Sequence, residues 1–285
     1  MINKNEWYRF SQNKGGHAID FMKEFYGLSF AEAVKELLGE EGVGETNRRT
    51  AKEDAGRQKV CPIPLPGLEL PERNESCEIA RKYLIEQRKL SEQLVDQMIE
   101  KGDIYESKNY HNVVFVGMDA DGKPRYANQR GIGSDFIGDA NGSDKHYSFG
   151  IPAATASDTL HLFESAVDLL SYGTLQKLDG KDWRGENLLS LAGVYKPRAK
   201  IEESSLPAAL VWYLAEHPHI RRVVLRLDND ATGRIAAETV KTLLPRKYAV
   251  TVDIQPPPQG KDYNDCLCMQ LGLPITKRRE RSKER

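Results

Sequence analysis

The stretch VVLRLDNDATGRIAA, residues 223–237, decides the fold class of the C-terminal half of the chain. Its apolar, β-branched start predicts a buried strand, and a helix follows directly after the acidic turn. Three more strand-to-helix steps surround it, and the four predicted strands span 159–163, 187–192, 221–227 and 249–254. Four such alternations predict an α/β fold, in which a parallel sheet is covered by helices on both faces.

Two of the predicted helices carry recognisable start signals. Ser165 and Asp168 form a capping-box pair directly after the strand TLHLF at 159–163. Pro207 stands in the first turn of a helix predicted from Ser205. Asp168 is therefore interpreted as a structural residue.

The N-terminal half is less regular. Apolar residues at helical spacing from His17 to Leu38, interrupted at Gly27, predict two short helices. Helical spacing resumes at Ile79, and an Asp121-Gly122 turn between two β-rich runs then predicts a hairpin. The predicted organisation is a short helical segment at 1–40, a Pro- and Gly-rich linker at 41–75, an α+β subdomain at 76–150, the α/β domain at 151–275 and a basic tail at 276–285.

Composition limits the function classes. The 285 residues carry a net charge of −1, which argues against a protein that coats DNA through bulk charge. Any nucleic acid contact must then be local, and the clearest candidate is the basic tail, which is equally well interpreted as a solvated end. The chain has no apolar run of about 20 residues and no secretory signal, so we expect a cytoplasmic protein without membrane contact. Its four scattered cysteines predict reduced thiols.

Acidic residues follow three of the predicted strands. Because the carboxyl ends of parallel strands meet at one edge of a sheet, we expect these side chains to converge there. Clustered carboxylates repel one another unless a divalent cation neutralises them, and a set without Cys or His selects Mg²⁺ or Mn²⁺ over zinc. The predicted metal ligands are Glu164, Asp228, Asp230, Asp262 and Asp265.

Three residues near these carboxylates are predicted to bind a nucleotide or nucleic acid. Gly233 allows the backbone to approach a phosphate closely at a helix start, and Arg234 follows it. Lys261 adds a positive charge to the same edge.

Three motifs together resemble the TOPRIM domain shared by bacterial primases, type I and II topoisomerases and certain nucleases. They are LHLFESAVDLLS at 160–171, VVLRLDNDATGRIAA at 223–237 and GKDYNDCL at 260–267. Residues 15–39 resemble the closing part of the zinc-binding domain of bacterial primases, and 80–149 resemble a domain of unknown function that precedes TOPRIM in proteins of mobile elements. The zinc ligands of a primase ribbon are not found before Gly15, so zinc is not expected.

The resemblance implies roles for individual residues. Glu164 becomes the candidate general acid/base or metal ligand, and Asp228 and Asp230 the Mg²⁺ ligands, which makes these three the predicted catalytic residues. Asp262 is the likelier third carboxylate, whereas Asp265 is equally suited to cap the last helix. Basic residues that fall in comparable motifs of the preceding subdomain are Arg130 and Lys145.

The leading functional prediction is an Mg²⁺-dependent nucleotidyltransferase of DNA primase type, acting on single-stranded DNA in the replication or transfer of a mobile element. Its expected partners are single-stranded DNA, nucleoside triphosphates and a helicase or relaxase of the same element. Two alternatives stay open: a TOPRIM-type nuclease and a non-catalytic DNA-binding accessory protein.

Overall fold

The structure is a computed structural model that describes residues 2–3, 6–9, 14–26, 67–191, 193, 195, 197–198 and 201–273. The chain divides into two compact units, Met1–Cys61 and Pro62–Arg285. The second predicted N-terminal helix, most of the predicted linker and the basic tail lie outside the described residues.

The first unit contains a small antiparallel sheet followed by a helix. Its strands are β1 (Ile2–Asn3), β2 (Glu6–Arg9) and β3 (Lys14–His17), and helix α1 spans Ala18–Tyr26. The helix confirms part of the prediction, but describing this segment as helical was incomplete. The strands EWYR and KGGH lack the strict alternation of apolar and polar residues by which a half-buried strand is recognised.

The second unit opens with helices and a four-stranded antiparallel sheet, and the predicted hairpin is present as β5 and β6, with Gly122 in its turn at φ +74°. In chain order the elements are α2 (Glu78–Lys82), a π-helical turn (Tyr83–Gln87), α3 (Glu92–Lys101), β4 (Ile104–Glu106), β5 (Val113–Met118), β6 (Pro124–Arg130) and β7 (Ile137–Asp139).

The five-stranded second sheet has the order β12-β11-β9-β10-β8. Its strands are β8 (Gly150–Ile151), β9 (Thr159–Phe163), β10 (Asn187–Ser190), β11 (Arg222–Leu225) and β12 (Thr251–Ile254). The last four are parallel, as predicted, whereas β8 is an antiparallel edge strand that was not predicted.

Four helices follow the parallel strands, and they are α4 (Ala166–Leu178), α5 (Ala208–Glu216), α6 (Ala231–Leu243) and α7 (Tyr263–Gln270). Short 3₁₀ turns occur at Ile201–Glu203 and Leu244–Arg246. Ser165 caps α4 by accepting the N–H of Asp168, as the capping box predicted.

Both faces of the second sheet are buried, because successive side chains of a strand point to opposite faces. Leu188 of β10 belongs to the core that contains α4 and α7, and its neighbour Leu189 belongs to the core that contains α5 and α6. Leu84 and Leu94 join the first of these cores, so the helices before the first sheet pack into the same layer as α4 and α7.

The parallel register places the C-terminal ends of β9, β11 and β12 at one edge of the sheet, where the predicted acidic residues follow. No helix in the described part of the chain is long and apolar enough to cross a membrane.

Candidate active site

Glu164 connects the ends of the two central strands. It directly follows β9, and 9% of its surface is exposed. Its Oε1 accepts the backbone N–H of Asp228, which follows β11, at 3.2 Å. This hydrogen bond fixes the Glu164 carboxylate against the loop that carries Asp228 and Asp230.

The loop from Asp228 to Asp230 is held tightly against the start of α6. Asp230 is the N-cap of this helix, and its Oδ1 accepts the N–H of Gly233 at 2.9 Å. A Cβ at position 233 would lie 2.1 Å from the carbonyl oxygen of Asp228 and 2.9 Å from Oε1 of Glu164. Glycine is therefore required here by the close approach of the protein's own groups, a reason that the sequence did not reveal.

Lys261 contacts both aspartates of the loop. Its Nζ lies 3.3 Å from Oδ2 of Asp228 and 3.2 Å from Oδ2 of Asp230. The backbone carbonyl of Lys261 also accepts the N–H of Asn229 at 2.7 Å. The loop after β12 thus brings a cation between the two carboxylates that were predicted to hold a metal.

Asp168 is a fourth acidic residue of this site, and sequence analysis missed its role. Its side chain is 7% exposed and lines the same cavity as Glu164 and Asp228. No sequence signal separated this role from capping, because Glu164 precedes the N-cap Ser165 and shares no helical face with Asp168. The capping-box interpretation explained its backbone N–H but not its buried carboxylate.

Crowding and burial raise the pKa values of two carboxyl groups. Burial is the largest cause for Asp228, whose pKa lies well above the ordinary value, and the charges of Asp168 and Glu164 add to it. Burial also raises the pKa of Glu164, although the hydrogen bond from the N–H of Asp228 acts to lower it. These two groups therefore carry negative charge at an energetic cost that a cation offsets.

The pKa values of Asp230 and Lys261 shift in the directions that favour the charged forms of these side chains. Burial acts to raise the pKa of Asp230, but the N–H of Gly233 and the Lys261 ammonium outweigh it and lower that pKa. Burial acts to lower the pKa of Lys261, and the two aspartates outweigh it and raise that pKa. A protonated lysine thus neutralises part of the acidic cluster.

These groups surround a cavity of about 400 Å³ between the two sheets of the second unit. One wall is the acidic edge of the parallel sheet, and the opposite wall comes from β5 and β6. The polar and charged lining residues are Asn128, Arg130, Glu164, Ser165, Asp168, Ser190, Asp228, Asp230, Thr232 and Lys261. The cavity therefore combines carboxylates with two cationic side chains.

Two family models match the chain in consecutive segments. Residues 161–267, which contain the whole acidic edge, match the family described as Toprim-like. Residues 82–154 match a protein of unknown function, DUF3991. The chain carries a Toprim-like domain. The predicted resemblance is thereby confirmed, both for this domain and for the segment that precedes it.

Relatives and solved structures extend this comparison. An uncharacterized protein of Bacillus anthracis is 31% identical over 247 residues, which are 82% of this chain; the chain spans 65% of that relative's length. The primase fragment of the bacteriophage T7 primase-helicase protein is similar over 73% of this chain and 78% of its own, with 19% identity and a TM-score of 0.47. The RNA polymerase domain of Mycobacterium tuberculosis primase DnaG is similar over 70% and 74%, with 12% identity and a TM-score of 0.44.

The other predicted carboxylates of the Toprim-like domain lie beside the cavity and not in its lining. Asp262 is the N-cap of α7 and accepts the N–H of Asp265 at 2.8 Å, so the capping role falls to Asp262. It is still near enough to Asp228 to contribute to the raised pKa of that group. Asp265 accepts the backbone N–H of Lys261 at 3.2 Å and supports the loop.

Two predicted phosphate-binding side chains are also outside the cavity lining. Arg234 donates to the carbonyl and side-chain oxygens of Asn229 at 2.8 and 3.2 Å, which holds the acidic loop from outside. Lys145 pairs with Asp139 at 2.9 Å. Of the basic residues predicted for this cleft, the structure brings Arg130 and Lys261 to it.

The predicted ligands do not form a preformed metal cluster. Among the residues that the structure describes, no three groups of the types Asp, Glu, His or Cys are placed to hold a metal ion together. The cation that the structure brings to Asp228 and Asp230 is the Lys261 ammonium. The set of five metal ligands stays a prediction.

Proposed function

We propose that this chain is a primase-like nucleotidyltransferase that joins nucleotides on a single-stranded DNA template. The observation that carries the proposal is the cavity in which buried carboxylates of the Toprim-like domain face two cationic side chains. A nucleoside triphosphate needs both kinds of group, because its phosphates require positive charge and the attacking hydroxyl requires a base.

The acidic edge fits a divalent cation. Asp228 and Asp230 already share one cationic centre, the Lys261 ammonium, through one carboxylate oxygen each. We propose these two aspartates as the Mg²⁺ or Mn²⁺ ligands, supported by Glu164 and the buried Asp168. A cation bound there would neutralise the crowded carboxylates and polarise phosphate oxygens.

Glu164 is suited to accept a proton in the proposed reaction. Its Oε1 is held by the N–H of Asp228, which leaves Oε2 to take the proton of the attacking hydroxyl. Burial raises its pKa, so this carboxylate is a stronger base than an exposed glutamate. Its test is a pH profile of the single-turnover rate, whose acidic limb should move when Glu164 is replaced by Gln.

Lys261 and Arg130 are suited to bind the phosphates. Lys261 is close to half exposed, so its ammonium can leave the aspartates and turn toward a triphosphate once another cation has replaced it. Arg130, at the end of β6, approaches from the opposite wall of the cavity. A guanidinium and an ammonium on two sides would orient the triphosphate.

The experiment is a synthesis assay with the full chain, a single-stranded DNA template, labelled nucleoside triphosphates and Mg²⁺ or Mn²⁺. We expect products longer than a single nucleotide that require the template and the metal and disappear with EDTA. Asp228→Asn should abolish them. Asp253→Asn, which changes a partly exposed acid on β12 that pairs with Arg222 outside the cavity, should not.

Two other results would replace the proposal. Shortening of the labelled template without added nucleotides would identify a nuclease that uses the same carboxylates to activate water. Metal-independent template binding without any product, unchanged by Asp228→Asn, would identify a non-catalytic accessory protein. A helicase or relaxase partner, the mobile element and a cytoplasmic location stay predictions.

A further inference from the structure

A second cavity, of about 360 Å³, lies apart from the acidic one; we call it the aromatic cleft. Its walls are the side chains of α5 and the segment before β8, including His146, Tyr147, Trp212, Tyr213 and His217. The two cavities lie on opposite sides of shared strands, because neighbouring residues of β5 and of β10 line different ones. Phe115 and Ser190 line the acidic cavity, and their chain neighbours Val116 and Leu189 line the aromatic cleft.

The cleft contains a group of aromatic rings, and the ring of Trp212 is partly exposed. Trp212 is 37% exposed, although its large apolar ring would gain from burial. Its ring centroid is 5.3 Å from that of Tyr147 and 5.7 Å from that of His146. The guanidinium of Arg125 lies 4.6 Å from the centroid of Tyr147. This arrangement forms a stacking platform for a flat ligand.

Asp103 is the polar group of the cleft that is open to a ligand. Its carboxyl is partly exposed, burial raises its pKa, and no described side chain pairs with it within hydrogen-bond distance. The Tyr213 hydroxyl makes no hydrogen bond to any residue that the structure describes, but it has no surface open to solvent. A ligand that donates a hydrogen bond in the cleft therefore meets Asp103.

The charges of the cleft indicate which part of a ligand enters. Three acids line it, Asp103, Asp119 and Glu216, against one lysine, Lys101. Such a lining repels phosphate and favours a neutral edge that carries N–H donors. A flat ring with amino donors, unlike an anion, suits both the stacking platform and the carboxyl of Asp103.

We propose that the aromatic cleft binds a nucleobase bearing an amino group, which stacks on Trp212 and donates to Asp103, while the sugar and phosphate stay outside. The identification of the ring as a nucleobase rests on the proposed function. The base belongs either to a free nucleotide or to a single strand. The cleft is thus a second nucleic acid site, separate from the metal-dependent one.

The experiment is calorimetric titration of the full chain, without metal, with adenosine, cytidine, guanosine and uridine. We expect the three amino-bearing nucleosides to bind and uridine to bind at least tenfold more weakly. Uridine has no amino group, and the two carbonyl oxygens that flank its N3–H donor would lie against the Asp103 carboxylate. Trp212→Ala should weaken adenosine binding about tenfold, since base–aromatic stacking is lost. The matched control, Tyr110→Asn, alters an 88% exposed aromatic outside the cleft and should leave binding unchanged.

Tyr213→Phe controls for changes in stability. It should leave adenosine binding unchanged while thermal stability stays equal or rises, because it removes a buried hydroxyl without a partner that a ligand in the cleft does not reach. Asp103→Asn should reduce the preference for adenosine over uridine. Comparing adenosine with its 5′-triphosphate and with a short oligo(dA) strand distinguishes the two sources of the base. Stronger binding of the strand indicates a template base, and equal binding of nucleoside and strand indicates a free nucleotide.

Three results would overturn the proposal: no nucleoside binding at millimolar concentration, binding that Trp212→Ala does not change, or Trp212-dependent binding of an arginine amide in place of the nucleosides. The last would assign the cleft to a cationic side chain of a protein partner. Asp228→Asn should leave adenosine binding intact. Nucleoside binding without template-dependent synthesis would therefore contradict the proposed function alone, and synthesis without nucleoside binding would contradict the cleft alone.

Discussion

The Lys261 ammonium lies 3.3 Å from the carboxylate of Asp228, at the place where a metal-dependent site would hold its cation. Asp228 is 11% exposed at its side chain, and the charge of Lys261 opposes the neighbouring acids that raise the pKa of Asp228. Lys261 therefore acts as the internal counter-ion of the metal-free protein. A divalent cation bound to both aspartates through these oxygens would displace it.

Replacing Lys261 by Met should tighten Mn²⁺ binding by about tenfold, which corresponds to about 1.4 kcal/mol, because the competing ammonium is gone. The stability of the metal-free protein should fall, by no more than about 1 kcal/mol because the lysine is close to half exposed. Mn²⁺ titration calorimetry and thermal unfolding measure the two effects. Lys145→Met, which removes a lysine paired with Asp139 outside the cavity, is the matched control. Unchanged Mn²⁺ affinity in Lys261→Met would show that the lysine does not occupy the metal position.

Replacing Asp228 by Asn should lower the single-turnover rate by orders of magnitude and leave folding intact. The amide keeps the volume of the side chain but loses the charge that holds a cation. The metal-free protein should be equally stable or more stable, because one of several crowded carboxylates is removed. Rate and unfolding midpoint are measured on the same preparations, with Asp253→Asn as the control. Full turnover in Asp228→Asn would place the chemistry elsewhere.

Replacing Gly233 by Ala should destabilise the fold by about 2 kcal/mol or more. The new methyl group would lie 2.1 Å from a backbone oxygen of Asp228, and backbone cannot move aside as a flexible side chain can. Gly67→Ala is the control, since nothing lies within 4 Å of a Cβ there. Chemical denaturation of the two variants tests this. If Gly233→Ala were as stable as Gly67→Ala, the loop from Asp228 to Asp230 would be able to shift at little energetic cost.

His161 should make the protein sensitive to acid. Its Nδ1 accepts from Nε of Arg226 at 2.6 Å, and its Nε2 contacts Glu186, so the imidazole is held neutral with its proton on Nε2. Burial, with the charges of Arg226 and Arg222, lowers its pKa to about 3. Because the unfolded state takes up the proton below about pH 6.5, stability is full above that pH and declines as pH falls toward 3.

His161 should lower the free energy of unfolding by about 1 kcal/mol for each pH unit of acidification between pH 6 and pH 4. The His161→Gln variant should show a shallower decline over this window, because glutamine does not titrate. Urea denaturation at several pH values measures it, and the exposed His219, changed to Gln, serves as the control. Parallel pH curves for wild type and His161→Gln would contradict a neutral buried imidazole.

Part of the site could be predicted from the sequence, because the local alternation of strands and helices already indicates a parallel sheet. The alternation of strands and helices predicted the four parallel strands, and this topology places Glu164 and Asp228 at one edge. The role of Asp168 did not follow, because a capping-box residue and a buried cavity acid have the same sequence signal. The partners of Arg234 and Lys145 were equally undetermined, since a long basic side chain reaches many positions from one backbone site.

The sequence by itself determined the α/β class, the hairpin, the helix cap at Ser165 and the carboxylates that follow the parallel strands, because each depends on periodicity or on a few neighbouring residues. Only the tertiary structure decided that Lys261 bridges Asp228 and Asp230, that position 233 has no room for a side chain, and that Trp212 and Asp103 line one cleft. Those relationships join segments far apart in the chain. They depend on how closely those segments pack against one another, which neighbouring residues in the sequence do not encode.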